Sequence, residues 1–324
     1  MRVLFIGGTG IISTACAELC IERGIELYLL NRGKSARPIP ANAKPLIADY
    51  RNPAEVSAAI GNLQFDAVVD WIAFVPEQVQ YDIDFFKDRT RQYVFISSAS
   101  AYQTPPRKLP VTELTPLENP VWQYSRDKIA CENLLKRVYK FDQFPATIVR
   151  PSHTYDRTTL PFQEHYTMIE RMRKGKKVIL HGDGTSLWVL THSKDFAKGF
   201  VGLLGNEAAI GEVFHITSDE LLSWNQIVQY FADAIGVKPD IVHVPSEVIA
   251  RYHKDWGDSL LGDKMHSMIF DNSKIKKFVP DFEATIPFSE GVKEIITWYD
   301  ADPSRQQVNS QMDVLIDKII SDYA

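Results

Sequence analysis

The sequence has few cysteines and no long apolar run. Cys16, Cys20 and Cys131 are the cysteines of the 324 residues, and three thiols cannot all pair within one chain. Cys16 and Cys20 fall four apart on a predicted helix, as two small buried residues would, and reduced thiols fit the cytoplasm. No apolar stretch reaches the roughly 20 residues of a membrane-spanning helix. Histidines and cysteines show no metal-type spacing. We therefore expect no metal and no membrane contact.

The sequence also lacks a strong excess of charge of one sign. Its net charge of -5 provides no general attraction to nucleic acid or to an anionic membrane. The first apolar run ends at Gly7 and Gly8, too early for a signal peptide. A basic run at 171–177 is interpreted as a solvated helix end, with a phosphate or nucleic-acid contact as the alternative. The expected partner is therefore a small-molecule substrate, not nucleic acid.

Short apolar runs alternate with helical patterns in the first half of the chain. Strands are expected at 3–6, 26–30, 44–48, 67–71, 93–97 and 146–150, with helices at 11–23, 54–60, 79–86 and 123–139. This alternation predicts an α/β fold with a doubly wound, Rossmann-type parallel sheet and helices on both faces. After Pro151 the rhythm changes. Strands are then expected at 178–181 and 212–217, and helices at 224–235, 246–252, 288–299 and 312–323.

A glycine-rich turn follows the first predicted strand and opens the first predicted helix. Gly7, Gly8 and Gly10 allow a tight turn and close approach of the backbone to a pyrophosphate. Free N–H groups and the helix dipole favour an anion at such a helix N-terminus. The turn therefore predicts a dinucleotide cofactor. The expected contacts here are Gly7, Thr9, Gly10, Ile11 and Ile12.

The end of the second predicted strand bears on the choice between NAD and NADP. An acidic residue there would bind the ribose 2′-hydroxyl and repel a 2′-phosphate, but the sequence has Asn31-Arg32. Arginine offers a permanently charged, planar fork for phosphate, and Lys34 and Arg37 add charge nearby. We therefore favour NADP over NAD; alternatively, Arg32 is a surface residue or stacks on adenine. Further cofactor contacts are expected from Asn31, Arg32, Asp49, Tyr50, Ile72, Ala73 and Pro151.

Tyr124 and Lys128 are four residues apart and therefore share one face of a predicted helix. A tyrosine of pKa about 10 is a poor base at neutral pH, but an adjacent ammonium and a nicotinamide cation would favour the phenolate. Ser97, Ser98 and Ser100 follow the fifth predicted strand, and one of them would hold a substrate oxygen. Together with the glycine turn, these residues predict proton and hydride transfer at a carbon bearing oxygen. Tyr124 and Lys128 are expected to contact the cofactor as well.

Further motifs occur along nearly all of the chain. They are Gly7-Gly8-Thr9-Gly10, Ser97 to Tyr102, Tyr124 with Lys128, Arg150-Pro151, His181 to Thr185, and Asp271 to Lys274. In these motifs the chain resembles extended short-chain dehydrogenases/reductases of the NAD-dependent epimerase/dehydratase family. The resemblance implies a catalytic serine at Ser98, by its distance from Tyr102, beside Tyr124 and Lys128. It also implies a homodimer formed through helix pairing.

The resemblance further implies two domains. The first, residues 1–155, would be the dinucleotide-binding Rossmann domain. The second, residues 156–324, would be a smaller, mostly C-terminal α/β substrate domain, from which the segment at about 186–220 returns to the first.

Several positions depart from the family pattern. Trp188 stands where sugar-nucleotide epimerases carry an arginine that clamps the diphosphate, and indole cannot replace its bidentate reach. His153 stands where they often have asparagine. Ser100, His153 and Trp188 are the expected substrate contacts; His153 is alternatively a buried, hydrogen-bonded histidine, and Trp188 a filler of the domain interface. Ala99-Ser100 lacks the two carboxylates of the dehydratases, which disfavours 4,6-dehydration.

Three functions remain open on this evidence. The first is an NAD(P)-dependent epimerase or oxidoreductase acting on a sugar or nucleotide sugar, with Tyr124 as acid/base. The second is an NADP-dependent reductase of a small non-nucleotide carbonyl compound, which the altered position Trp188 favours. The third is a non-catalytic dinucleotide-sensing or RNA-binding relative. The intact Ser98, Tyr124 and Lys128 argue against the third.

Overall fold

The computed structural model describes residues 1–323. Its strands are β1 (Arg2–Ile6), β2 (Glu26–Asn31), β3 (Lys44–Ile47), β4 (Ala67–Asp70), β5 (Tyr93–Ile96), β6 (Ala146–Pro151), β7 (His153–Tyr155), β8 (Val178–His181), β9 (Leu187–Trp188), β10 (Leu190–His192), β11 (Val213–Ile216), β12 (Leu222–Ser223) and β13 (Ile241–Val244). Its α-helices are α1 (Ile11–Glu22), α2 (Pro53–Ile60), α3 (Pro76–Phe86), α4 (Gln123–Asp142), α5 (Tyr166–Arg173), α6 (Ser193–Leu203), α7 (Trp224–Ala234), α8 (Ser246–Tyr252), α9 (Lys254–Ser259), α10 (Ser273–Phe278), α11 (Phe288–Asp300) and α12 (Ser310–Tyr323). A π-helical turn covers Leu260–Lys264.

A seven-stranded parallel sheet forms the centre of the molecule, in the order β11-β6-β5-β4-β1-β2-β3. The chain enters at β1, moves outward through β2 and β3, and then crosses to β4 on the other side of β1. This reversal is the switch point of a doubly wound sheet, where ligands bind beyond the carboxyl ends of the strands. The predicted Rossmann fold is therefore confirmed.

The pleat of the central strands divides the core between the two faces of the sheet. Val3 and Phe5 of β1 pack with α1 and α6, whereas Leu4 and Ile6 pack with α2, α3 and α4. Successive strand side chains point to opposite faces, so a strand covered on both sides must be apolar throughout. The three cysteines are free and buried in these two layers, as expected.

The predicted elements are present, and the differences lie at their ends. Helix α3 begins at Pro76, three residues before the predicted start, because proline is accommodated in the first turn of a helix. Helix α4 continues three residues further than predicted, to Asp142, and ends where Gln143 takes a left-handed conformation with φ 54°.

After β6 the chain forms further small sheets and helices. β8 pairs in parallel with β13, β7 with β10, and β9 lies antiparallel to β12. Strand β11 and helix α6 instead join the central sheet and its core, and both lie within the segment expected to return there. Within residues 1–323, none of the helices has the length and apolar character that a membrane crossing requires.

Candidate active site

A cleft of about 400 Å³ lies at the carboxyl ends of β1, β2, β3 and β4. Seven residues predicted to contact a cofactor line it: Gly7, Thr9, Asn31, Arg32, Asp49, Tyr50 and Ile72. Phe74, just before α3, Gln78, in its first turn, and Arg51, after β3, also line the cleft. The cleft thus gathers residues from four separate strand ends.

The glycine turn at the floor of this cleft has the backbone geometry that only glycine adopts readily. Gly7 and Gly8 have φ values of 97° and 99°, and a Cβ on Gly8 would lie 2.7 Å from Cδ2 of Leu29. Gly10 has an extended backbone, and its N–H donates to Oγ of Ser13 at 2.8 Å. Serine at the third small position therefore supports the turn directly.

The N-terminus of α1 presents unused donors to the turn. Within residues 1–323, the backbone N–H groups of Ile11 and Ile12 have no hydrogen-bond partner, and Gly10 provides no side-chain cap. Such first-turn N–H groups bind anions well. Gly10, Ile11 and Ile12 do not line the cleft itself; they form its edge at the helix terminus.

The charges around the cleft differ in part from expectation. Arg32, Lys34 and Arg51 line it, and Asp49 is the acidic residue among its lining groups. Arg37, expected to add charge here, instead forms an ion pair with Asp156 at 2.5 Å. The positive charge available near a bound ribose therefore comes from Arg32, Lys34 and Arg51.

Two unsatisfied polar atoms indicate that the cleft fits a dinucleotide. Nδ2 of Asn31 and Oη of Tyr50 are buried and have no hydrogen-bond partner within the described chain. Oδ1 of Asn31 accepts from the N–H of Gly33 at 2.8 Å, which orients the amide. Buried polar groups are normally paired, so a ribose or base with complementary groups would satisfy them.

Lys128 lies beside Tyr124 and beside Phe74, which lines the cofactor cleft. Its Nζ donates to the carbonyl of Ala73 at 2.7 Å and to that of Ile96 at 2.8 Å. It lies 4.6 Å from the ring centroid of Phe74 and 5.9 Å from that of Tyr124. An ammonium has three donors, so one remains for a further partner. The lysine thus joins the chain after β4 to the end of β5 and keeps one donor for a further partner.

The three serines after β5 have different surroundings. Ser97 is buried and donates to Glu132 at 2.7 Å, away from Tyr124. Ser98 and Ser100 line a reaction pocket with Tyr124, and their hydroxyl oxygens are 2.9 Å apart. Ser100 also accepts from the hydroxyl of Ser125 at 2.8 Å. Ser98 and Ser100 are therefore the serines that can meet a substrate.

Burial dominates the acidity of Tyr124. It raises the pKa of the phenol, while a hydrogen bond with Ser98 lowers this pKa and the negative charge of Asp263 raises it. Burial also lowers the pKa of Lys128 to about 8. We expected the lysine to lower the tyrosine pKa, and the structure does not show this effect. A further positive charge beside the phenol is needed to form phenolate near neutral pH.

The reaction pocket has a volume of about 250 Å³ and is lined in part by His153 and Trp188, which were predicted as substrate contacts, and by Pro151, which was expected to contact the cofactor. Nε1 of Trp188 donates to Nδ1 of His153 at 3.1 Å. Burial lowers the pKa of His153 to about 3, so its ring is neutral and carries its proton on Nε2. Trp188 is itself only 3 % exposed. The tryptophan thus orients the histidine in addition to filling space.

The sequence prediction missed two charged residues of this pocket, Asp263 and Lys264, on the π-helical turn. Asn119 anchors the turn by donating to the carbonyls of Ser100 at 3.1 Å and Gly262 at 2.6 Å. A Cβ on Gly262 would lie 2.7 Å from Cβ of Trp122, so glycine is needed for this approach. π-Helical turns often occur at functional sites, but no local sequence signal reveals one here. Met268 and Phe270 complete this side of the pocket.

The ionisation of the two missed residues is perturbed. Burial raises the pKa of Asp263 to about 6, and burial lowers the pKa of Lys264. Nζ of Lys264 lies 5.4 Å from the ring centroid of Trp122. Neither charged group has a side-chain hydrogen bond or ion pair within residues 1–323. Among those residues there is also no cluster of three or more potential ligands that could hold a metal.

Known proteins resemble the chain in sequence. A model of the family described as "NAD dependent epimerase/dehydratase family" matches residues 3–217. A chloroplast stem-loop binding protein of 41 kDa from Arabidopsis thaliana is 27% identical over 259 residues, covering 75% of this chain but only 65% of the relative. A 2'-dehydrokanamycin reductase from Streptomyces kanamyceticus is 24% identical over 286 residues, covering 87% of this chain and 80% of the relative.

The fold is also found in solved structures. A dTDP-glucose 4,6-dehydratase from Bacillus anthracis, in complex with NAD, superimposes with a TM-score of 0.76 over 94% of this chain and 98% of that one, at 19% identity. At this identity the likeness shows the fold alone. The family match, by contrast, spans well over half of the sequence. The chain therefore belongs to the NAD dependent epimerase/dehydratase family and is an enzyme.

Proposed function

We propose that the protein is an NAD(P)-dependent oxidoreductase or epimerase that acts on a hydroxyl or carbonyl carbon of a sugar-like substrate, with Tyr124 as acid/base. One observation carries this proposal. Tyr124 lines the reaction pocket together with Ser98 and Ser100, and the neighbouring Lys128 lies 4.6 Å from the ring centroid of Phe74, which lines the cofactor cleft. A bound nicotinamide would supply or accept the hydride and, when oxidised, add positive charge near the phenol.

Side chains of the protein would bind the reacting oxygen, transfer its proton and hold the cofactor. Ser98 and Ser100 hold the reacting oxygen, and their mutual hydrogen bond orients both hydroxyls. Tyr124 gives or takes the proton of that oxygen. Lys128 uses its remaining donor for the cofactor ribose. The ring of Phe74, which lines the cofactor cleft, lies 6.1 Å from that of Tyr124, which lines the reaction pocket.

We favour NADP as the cofactor. Asn31 at the end of β2 offers an amide instead of a carboxylate, and Arg32, Lys34 and Arg51 line the same cleft. A 2′-phosphate would meet these cations without repulsion from residue 31. Asp49 lies beyond β3 and is assigned to the adenine side.

The substrate is better described as a sugar or cyclitol without a nucleotide. Trp188 is committed to His153 and provides no cation for a diphosphate. The reductase relative from Streptomyces kanamyceticus is named for a kanamycin derivative, not for a nucleotide sugar. This supports the second of the functions considered from sequence. A homodimer remains a prediction from resemblance.

Single-turnover measurements test the proposal. Sugar nucleotides, free keto-sugars and aminocyclitol ketones are offered to the enzyme with NADPH, and oxidation of the cofactor is followed. We expect turnover with at least one ketone that has no nucleotide, and loss of that turnover in Tyr124→Phe with NADPH affinity retained. Undiminished turnover in Tyr124→Phe would contradict the assigned mechanism. Salt-dependent RNA binding together with no turnover would favour a role like that named for the chloroplast relative.

A further inference from the structure

A second chamber opens beside the reaction pocket. It has a volume of about 210 Å³ and shares His153 and Lys264 with that pocket. Separately, both volumes are below the roughly 300–1,000 Å³ of typical small-molecule sites, whereas the two volumes taken together fall within this range. One ligand could therefore occupy both, with its reacting end at Tyr124.

Glu164 is the acidic residue of the second chamber. It lies in the segment before α5, lines the chamber, and is only 4 % exposed. Its carboxylate has no hydrogen bond to another side chain in the described part of the chain; its own backbone N–H is its polar neighbour. Burial raises the pKa of Glu164 to about 7. A buried carboxyl group in this situation lacks a partner that it would normally have.

The cation of the protein whose charge acts on Glu164 is Arg171, and it is already engaged elsewhere. Arg171 is 2 % exposed, whereas residues 174–177 of the same basic run are exposed, as expected for a solvated helix end. Its guanidinium donates to the carbonyl of Lys177 at 2.8 Å, to Asp317 at 2.6 Å and to Asp313. It acts on Glu164 only through its charge, at longer range. Glu164 is therefore free to pair with a cation of a ligand.

The remaining polar groups facing the chamber do not supply that cation. His153 and His181 have pKa values lowered by burial to about 3 and about 4, so both are neutral near pH 7. His165, next to Glu164, is exposed. The carbonyl of Lys264 accepts from Nε1 of Trp224 at 3.2 Å, whereas its Nζ lies over Trp122 of the reaction pocket. The positive charge of Lys264 reaches His153 and His181, but it is not among the charges that act on the carboxyl group of Glu164.

The chamber that holds the carboxyl group also has an aromatic lining. Phe162, Trp224 and Trp256 line the same chamber and are each no more than 6 % exposed. Aromatic rings attract cations through their faces, most strongly tryptophan. A buried carboxylate combined with such rings suits a substituted ammonium and would repel a phosphate.

We propose that the second chamber binds a protonated amine on the non-reacting part of the substrate, with Glu164 as its counter-ion. This inference rests on the proposed function, since the reacting part lies against Tyr124. The substrate class is accordingly an amino sugar or aminocyclitol of about two rings, with its oxidisable or reducible carbon on the ring that carries no essential amine.

Calorimetric titration of the NADPH-saturated enzyme tests the inference without turnover. The probes are β-1,4-linked diglucosamine and cellobiose, which has the same two rings but hydroxyls in place of the amines. At pH 7 we expect diglucosamine to bind at least about tenfold more tightly, equivalent to about 1.4 kcal/mol. Glu164→Gln should remove this preference. Glu170→Gln is the matched control, because Glu170 pairs with Lys174 outside the chamber.

The outcomes separate this inference from the proposed function. Equal binding of the two probes, no binding of diglucosamine, or an unchanged preference in Glu164→Gln would overturn the assignment of the chamber. If Glu164→Gln does not fold, the wild-type preference decides alone. Tyr124→Phe should keep the preference while losing turnover, so either proposal can fail while the other stands.

Discussion

The buried cluster beneath the serines gives the largest stability effect that we expect from a single substitution. Glu132 and Arg150 are 0 % and 1 % exposed. The carboxylate accepts from Ser97 at 2.7 Å and from Nε and Nη2 of Arg150 at 2.8 and 2.5 Å. Glu132→Gln keeps the size of the side chain but removes its charge. Arg150 is then left as an uncompensated buried cation, which costs about 3–5 kcal/mol.

Urea unfolding at pH 7 measures this loss, and Lys136→Met is its control. Nζ of Lys136 lies 3.1 Å from the same carboxylate, but its side chain is 43% exposed. Exposed ion pairs contribute about 0–1 kcal/mol, so Lys136→Met should have a small effect. A loss in Glu132→Gln no larger than in Lys136→Met would refute the reasoning.

The pH dependence of the same pair follows from its ionisation. Burial opposes ionisation of Glu132, but hydrogen bonds and charge from Arg150 outweigh it and lower the pKa below its ordinary value of 4.5. The folded state therefore binds the proton less tightly than the unfolded state. The stabilisation is complete above the ordinary pKa and is lost as pH falls through the lowered one. The difference between wild type and Glu132→Gln should shrink accordingly in acid.

Three further predictions concern the cofactor turn, cofactor choice and the second chamber. Gly8→Ala should destabilise by about 1–3 kcal/mol in urea, because of its positive φ and the 2.7 Å approach to Leu29; Gly24→Ala, with no neighbour within 4 Å, should lose less. Arg32→Ala should weaken NADPH binding about tenfold or more in fluorescence titration while leaving NADH affinity almost unchanged, and equal losses would count against a 2′-phosphate contact. Glu164 has a pKa raised by burial from 4.5 to about 7, so the folded state holds its proton more tightly and wild-type stability should fall as pH rises through this window. Relative to Glu164→Gln the decline should reach about 3 kcal/mol, and parallel pH profiles of the two proteins would contradict it.

The fold could be predicted because its signals are local. Buried parallel strands are apolar throughout, helices between them repeat every three to four residues, and Gly7-Gly8 marks a strand-to-helix turn. Because the strands are parallel, their carboxyl ends meet at one edge of the sheet, and the residues at or just after these ends, such as Asn31 and Asp49, lie close together there. The residue pattern did not determine which of Ser97, Ser98 and Ser100 faces the substrate, because this depends on where each side chain points after the strand ends. In the fold, Ser97 is hydrogen-bonded to Glu132 and is therefore not available to a substrate.

The reaction pocket was only partly predictable because its far wall comes from distant segments. Asp263 and Lys264 follow Tyr124 by more than a hundred residues, and their position depends on a π-helical turn held by Asn119 and on the close approach at Gly262. The unpaired state of Glu164 likewise depends on Arg171 being engaged elsewhere. The acidity of Tyr124 depends on burial, which the spacing to Lys128 does not reveal.

The most direct test of the central claim follows the ionisation of Tyr124 itself. The ultraviolet absorbance of phenolate is titrated against pH for wild type and Tyr124→Phe, with and without oxidised NADP, and the difference between the two proteins isolates this one tyrosine. We predict a pKa above the ordinary 10 for the protein alone, as burial requires, and a clearly lower pKa once the positive charge of the cofactor lies beside it. A pKa that oxidised NADP leaves unchanged, or the same cofactor-dependent signal in Tyr124→Phe, would contradict the assignment of Tyr124 as the acid/base of this enzyme.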